Sequence, residues 1–357
     1  MAYTTIDDGS AYHQTAIYSG TGSSLSVVND GYSDLQPDWI WLKCRTRDEN
    51  HSIHDSTRGV DNFLASNQTN AEGTETDRLE SFNADGFTVN GGDDRVNISG
   101  QTYVAWQWKA NGGTTSSNTD GSITSTVQAN TTAGFSIVTY VSNNTEGATF
   151  GHGLNSAPEI VIIKGRDSAD NWAVFNGTST TNSRSLHLES TDGEIPVSSY
   201  NFWNLYWDET RPSSTVVTLG VDAKVNKSGN ENFVAYCFHS VKGYSKIGKY
   251  TGNGNADGPF VYTGFKPAWL LIKSSGSNGD NWVICDNKRD TFNVMENILI
   301  PNTSQAEFDE TSFDFLSNGF KLRQSAASYN DSGDTFIYMA FAEHPFVSSE
   351  GVPTTAR

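Results

Sequence analysis

The 357-residue chain holds 36% hydrophobic and 18% charged residues, with 9 Trp, 14 Tyr and 19 Phe set among abundant Gly, Ser, Thr and Asn. Short strands joined by polar turns, with aromatic side chains filling thin cores, fit that mixture; a disordered chain, which lacks aromatics, does not. A net charge of −18 without any Lys/Arg stripe argues against nucleic acid as a partner, because phosphate binding depends on a basic footprint.

The elements run as follows. Ala16 to Gly20 (AIYSG) opens a strand pattern. Pro37 to Lys43 (PDWIWLK) is a continuous apolar run led by proline, which reads as a strand buried on both faces. After a polar turn, His51 to Asp55 (HSIHD) reads as the second arm of a hairpin. Asn83 to Phe87 (NADGF) carries an Asp-Gly turn. Asn97-Ile-Ser-Gly100 then leads into an aromatic strand, Tyr103 to Trp108 (YVAWQW). Residues 111–131 are Gly, Ser, Thr and Asn with almost no apolar content, the composition of an extended, mobile linker.

The same parts then return twice. Ile137 to Tyr140, Pro158 to Lys164 (PEIVIIK), Trp172 to Asn176 (WAVFN), Asn226-Lys-Ser-Gly229 and Phe233 to Phe238 (FVAYCF) form the second set. Gly248 to Gly252, Pro267 to Lys273 (PAWLLIK), Trp282 to Asp286 (WVICD), Asn318-Gly319-Phe320, Asn330-Asp-Ser-Gly333 and Phe336 to Phe341 (FIYMAF) form the third. The second set lacks the Asn-Gly or Asp-Gly turn. Recurrence of Asn-x-Ser-Gly at one place in each set marks a shared turn rather than glycosylation. The chain therefore reads as all-β, with three tandem, diverged, jelly-roll-like sandwich domains at 1–110, 132–242 and 243–346 and a patternless tail at 347–357. The second and third are expected to pack closely. Thr291 to Ile300 is the best helix candidate, and it is short.

Chemistry is sparse. Cys44, Cys237 and Cys285 are too few and too widely spaced for a disulfide framework or a zinc site, and read as buried thiols. Of seven histidines only His51 and His54 are close, and three apart on a strand they point to opposite faces. Asp55 with Arg58 and Asp286 with Arg289 read as ion pairs that close a turn. No nucleophile elbow, P-loop, zincin or dinucleotide motif occurs. Asp167, Asp170 and Asn171 could offer oxygen ligands to calcium, but solvated turns explain them, and no metal, cofactor or catalytic residue is assigned. The densest aromatic segment is Tyr200 to Asp208 (YNFWNLYWD), whose Tyr200, Phe202, Trp203, Tyr206, Trp207 and Asp208 are candidate ligand- or partner-binding residues. Three readings stay open for it: local core, protein interface and glycan platform. Met1 to Gln14 has no basic n-region or apolar stretch, so no signal peptide is read, and no run approaches the ~20 apolar residues of a membrane span. Synthesis in the cytoplasm is expected.

Tyr250 to Trp269, Phe315 to Leu322, Tyr103 to Gly113 and Pro353 to Arg357 resemble virion proteins of marine tailed bacteriophages, and the resemblance covers nearly the whole chain. It implies a non-enzymatic structural protein of the virion, in the tail fibre or receptor-binding apparatus, with concanavalin-like sandwich domains. The implied partners are other virion proteins and a host-surface glycan, with no membrane insertion and with homo-oligomers on the particle. A capsid decoration or head-fibre protein is the alternative at the same location. A glycan depolymerase, and a cellular lectin, are the alternatives of other classes.

Overall fold

Successive side chains of a strand point to opposite faces, so a strand that is apolar at every position needs a cover on both. The computed structural model, which describes residues 3–179, 184–194, 206–276 and 279–354, supplies both covers. The described chain is nearly all β and its named strand pairs are antiparallel. Three sheets share one strand order. In the first, His13–Ser19, Thr102–Trp108, Trp39–Cys44 and Ser52–Asp55 lie side by side. In the second the order is Phe135–Val141, Asn232–Phe238, Ile160–Gly165 and Ala173–Asn176. In the third it is Ser245–Thr251, Thr335–Pro345, Phe265–Ser274 and Val283–Asp286. The register repeats as well: Trp108 lies between His13 and Trp39, Phe238 between Phe135 and Ile160, Phe341 between Ser245 and Trp269.

One face of all three sheets meets in a single core. Val104, Trp106 and Trp108 enter it from the first sheet, Val234, Tyr236 and Phe238 from the second, and Ile337, Met339 and Phe341 from the third. Trp39 and Trp41, Ile160 and Ile162, and Trp269 and Leu271 enter beside them. Rings from different repeats touch: Trp39 stacks on Tyr236 with centroids 4.7 Å apart, and Trp108 meets Trp269 edge-on at 5.3 Å. The alternate residues of the same strands face outward to a local core in each repeat, where Ile40 and Leu42, Val161 and Ile163, and Leu270 and Ile272 lie. Smaller sheets close these outer cores. They are Leu25–Val27, Phe87–Val89 and Leu79–Phe82 in the first repeat, Ala148–Gly151 with Val216–Leu219 in the second, and Phe260–Tyr262, Gly319–Leu322, Phe308–Leu316 and Met295–Ile298 in the third. The expectation of an all-β, sandwich-like chain with strands buried on both faces holds. All three cysteines are free and buried.

The recurrent Asn is a staple. Asn97, Asn226 and Asn330 are fully buried, and each amide ties two loops together through main-chain groups. Asn226 Oδ1 accepts from the Asn143 and Asn144 N–H groups while its Nδ2 donates to Thr145 and Gly220 carbonyls. Asn97 and Asn330 do the same for Thr21 with Ser23 and Asn90, and for Asn253 with Asn255 and Gln324. The glycines that follow hold φ of 84°, 105° and 83°. A Cβ there would meet nothing within 4 Å, so backbone conformation, and not crowding, demands glycine.

Head-to-tail contacts join the repeats into a closed ring. Trp172 Nε1 of the second donates to Ala65 O of the first at 3.0 Å, and Trp282 Nε1 of the third to His187 O of the second at 2.9 Å. His51 occupies the matching place in the first. Its Nδ1 accepts from Trp41 Nε1, so its Nε2 carries the proton and donates to Ile300 O of the third at 3.1 Å. The backbone closes likewise: the N–H groups of Glu72, Glu194 and Glu307 donate to Arg166, Ser275 and Arg45 carbonyls of the next repeat. Asp55 and Arg58 form the expected buried pair, as do Asp286 and Arg289. Each pair also crosses a junction. Asp55 accepts from Tyr236 Oη and Asp286 from Trp106 Nε1; Glu72 sits between Arg58 and Arg166, and Glu307 between Arg289 and Arg45. At the remaining junction Asn176, Ser179 and Ser275 stand where the others have Asp, Arg and Arg, and Glu194 bonds to Asn176 and Ser179.

Two expectations change. Residues 111–131 are not a mobile linker, because Ser116–Asn118 and Ser125–Asn130 extend the second sheet, Ser125–Asn130 pairing along Phe135–Val141. Their polar side chains suit an edge with solvent on one face, and alternate residues Ser125 and Val127 are buried. Thr291 to Ile300 is no helix. Met295–Ile298 is a strand whose Met295 and Ile298 fill the outer core of the third repeat, a packing demand that overrides a weak helical preference. Among the described residues two short α-helices, Ala223–Asn226 and Ala327–Asn330, each deliver one of the stapling asparagines.

Because the three sheets share one core, the chain is expected to unfold in a single cooperative transition, with calorimetric and van't Hoff enthalpies equal. Trp108→Ala should lower stability by about 3–5 kcal/mol and still leave one transition; separate melting of the repeats in calorimetry would contradict the shared core.

Candidate functional site

The aromatic segment singled out above does not present a binding face in its described part. Tyr206 and Trp207 are buried in the outer core of the second repeat, where Trp207 meets Phe175 at 5.4 Å and Tyr206 Oη lies 3.1 Å from His187 Nε2. Asp208 is half-buried with φ of 45°. Tyr200, Phe202 and Trp203 lie outside the described residues. For Tyr206 and Trp207 the core reading holds: among the described residues the outer sheet of the second repeat has two strands, and these large side chains complete its cover.

The more accessible surface comes from the ring itself. At the junction between first and second repeats the chain crosses from one to the other, and Asp38 receives the N–H groups of Ala110, Gly112 and Gly113. Between second and third it crosses again, and Glu159, at the matching position, receives Ser240 N–H. The third-to-first junction has no such crossing. Ala268 stands at the position of Asp38 and Glu159, and a cavity of about 530 Å³ opens there. His13 and Gln14 line it from the first repeat, Asn287, Lys288, Glu343 and His344 from the third. It runs on into a second recess of about 1010 Å³, which shares Tyr32, Asn287, Thr291, Glu343 and His344 and adds Phe292. Tyr32 and Phe292, 89% and 83% exposed, are the most exposed large apolar residues of the described chain, and both line this groove.

The rims are tied together. Lys288 pairs with Asp30 across the junction at 2.6 Å, and Lys266 with Glu343 at 2.6 Å. Tyr32 and His344 lie 6.0 Å apart, centroid to centroid. Tyr3 Oη donates to Gly264 O at 2.7 Å and Ser349 N to Asp7 at 2.6 Å, so both ends of the described chain brace the same junction. Burial works against the Asp8 carboxylate, but hydrogen bonds from Ser10 and Ser33 outweigh it and hold its pKa below the usual value. The Asn287 N–H donates to Ala268 O, but the Asn287 side-chain amide and the Thr291 hydroxyl make no hydrogen bond among the described residues.

No group of three or more His, Cys, Asp or Glu that could hold a metal occurs among the described residues. Asp167 accepts from Asn232, Asp170 pairs with Lys227, and Asn171 donates to Glu189, so the three turn in different directions. Burial pushes the Cys237 thiol up to about 12 and raises the Cys285 thiol well above its usual value, which leaves neither as a nucleophile. The groove residues are not legible in the sequence because they come from distant segments, around positions 8–15, 30–32, 266–268, 287–295, 315–318 and 342–344. The available signal was a lone aromatic within a polar loop: Tyr32 in Asp30-Gly-Tyr-Ser33 and Phe292 in Asp290-Thr-Phe-Asn293.

Trp207→Ala should cost about 3–5 kcal/mol in chemical denaturation, the signature of core and not of a ligand platform; an unchanged midpoint would return Trp207 to the binding surface. A pH dependence follows from the histidines. Burial pushes His13, His51 and His54 down to about 3, and His152 and His187 to about 4, from the usual 6.5. Below pH 6.5 the unfolded chain takes up protons that the folded chain refuses. Their contribution is therefore complete above pH 6.5 and is lost as pH falls toward 4 and 3. The urea midpoint should already drop between pH 6.5 and 5, before most carboxylates titrate; a flat midpoint over that range would contradict the burial of these imidazoles.

None of the described helices is long and apolar enough to cross a membrane. No curated protein and no solved structure matches the chain. The model of a family described as a domain of unknown function, DUF7483, matches residues 8–345, through all three repeats, and the chain belongs to that family.

Proposed function

We propose that this chain is a structural protein of a tailed-bacteriophage virion, in the tail fibre or receptor-binding apparatus, and that it adheres to a host-surface glycan through the groove between its first and third repeats. Each repeat is taken as a diverged jelly-roll or concanavalin-like sandwich. The virion assignment is supported by the resemblance of Tyr103 to Gly113, Tyr250 to Trp269 and Phe315 to Leu322 to such proteins. The observation that carries adhesion is the groove itself, where the two most exposed aromatics of the described chain stand beside amide, hydroxyl and carboxylate groups. A concave surface with apolar platforms and a few polar groups is what a small-ligand site requires. Binding without cleavage is proposed, and no cofactor is assigned.

One observation favours the second reading, a capsid decoration protein. Three related sheets around one core make a ring, not a rod, and a ring with three related faces suits a three-fold position on a shell.

Immunogold labelling of intact particles with an antibody raised against the folded chain should place label on the tail. Label spread over the head would support decoration in place of receptor binding, and particles without label would overturn the virion reading. Release of sugar fragments from a bound glycan would move the assignment to a depolymerase.

A further inference from the structure

We infer that the ligand of the groove is a neutral oligosaccharide, built of hexose or N-acetylhexosamine units, that spans the junction from Tyr32 on the first repeat to Phe292 on the third. The inference rests on the adhesion reading and specifies its ligand class. Charge decides first. Asp8, Asp30, Asp290 and Glu343 line the two recesses, against Lys266 and Lys288. Both lysines are engaged, with Glu343 and Asp30. No ammonium is left to hold the phosphate, sulfate or carboxylate of an anionic glycan, and the net charge of −18 repels such ligands at longer range. The two remaining carboxylates are also occupied. Asp8 accepts from Ser10 and Ser33, and Asp290 accepts from the N–H groups of Glu296 and Asn297 and from the Asn297 side chain. A cationic ligand would have to displace those bonds.

Polar groups without a partner are of the kind that sugar hydroxyls match. The Asn287 amide both donates and accepts, the Thr291 hydroxyl does the same, and both border the space between the two rings. The apolar faces of pyranose rings complement exposed aromatic surfaces such as those of Tyr32 and Phe292.

The sister junctions argue against a peptide. There the groove is filled by a stretch of backbone whose N–H groups are received by Asp38 or Glu159. At the open junction that carboxylate is Ala268, so an incoming peptide finds no matching acceptor. The chain thus keeps the space of the missing connection and lacks the anchor that a connection uses. A saccharide lying there would contact both repeats at the one junction that no covalent link crosses.

The test is calorimetric titration of the full chain with three sets of probes matched for length: neutral hexose and N-acetylhexosamine oligosaccharides, uronate- or sulfate-bearing oligosaccharides, and acidic or neutral peptides. Neutral sugars are expected to bind. Tyr32→Ala and Phe292→Ala should each weaken them tenfold or more, with unfolding midpoints unchanged because both side chains are exposed. Tyr32→Phe should retain most of the affinity. Tyr32-dependent binding of anionic sugars in preference to neutral ones would overturn the ligand class and leave adhesion standing. Tyr32-dependent peptide binding would overturn both the class and the glycan reading. Neutral-sugar binding indifferent to both alanine variants would overturn the site. Binding of no probe at all would overturn this inference together with glycan adhesion, while the labelling experiment still decides the virion assignment.

Discussion

Each of the three related sheets has one face that its own small outer sheet covers and one that it cannot cover. The second faces bear Trp39, Trp41, Trp106 and Trp108, then Ile160, Ile162 and Tyr236, then Trp269, Leu271 and Phe341, and they can leave water only by meeting one another. Large aromatic groups dominate such a core because each removes well over 100 Å² from solvent. The remaining features answer to that meeting. The head-to-tail hydrogen bonds of Trp172, Trp282 and His51 fix the angle at which one sheet approaches the next. The guanidiniums of Arg58 and Arg289 are buried at the seams, where they satisfy carbonyl, carboxylate and phenol groups stranded by the closure. Removing one partner of such a pair costs about 3–5 kcal/mol, because the other charge then stays buried alone.

Closure of a ring from one chain also creates an asymmetry that three identical chains would not have. Three junctions exist, but a chain of three repeats has only two connections. Asp38 and Glu159 are spent on receiving those connections, while Ala268 marks the junction without one. The groove is a product of topology as much as of side-chain choice. Its polar lining and its exposed rings, Tyr32 and Phe292, are what distinguish it from an accidental gap.

Much of this architecture is legible in the sequence because the strand period is two. Runs such as PDWIWLK and FVAYCF are apolar at odd and even positions alike, which states that both faces are covered, and their threefold recurrence states how many sheets are buried on both faces. What covers the second face is not legible, since nothing local in Trp39 or Trp108 says that their neighbours are Tyr236 and Trp269 from other repeats. Composition misleads in residues 111–131, where Ser and Thr form the last two strands of a sheet and Ser125, Val127 and Gln128 are buried along the inner one. At Tyr206 and Trp207 aromatic density alone left core, interface and glycan platform open, and their place is a core. Asp55 with Arg58 is read correctly as a local pair, yet its reach to Tyr236 and, through Glu72, to Arg166 depends on the ring.

A ring assembled from separate subunits exists only above some concentration, since dilution favours the parts. Here the junction between first and second repeats and that between second and third lie within one molecule, where linked modules meet at effective concentrations on the order of millimolar. The ring is therefore equally complete in a dense lysate and as a single copy far from any other, and no exchange of subunits can scramble it. Freedom from a symmetry operator also means that a substitution in one repeat is not imposed on the other two. Asn176, Ser179 and Ser275 stand where the Arg58 and Arg289 seams carry Asp, Arg and Arg, and Glu194 there turns to Asn176, Ser179 and Arg184, a divergence that a homotrimer could not record.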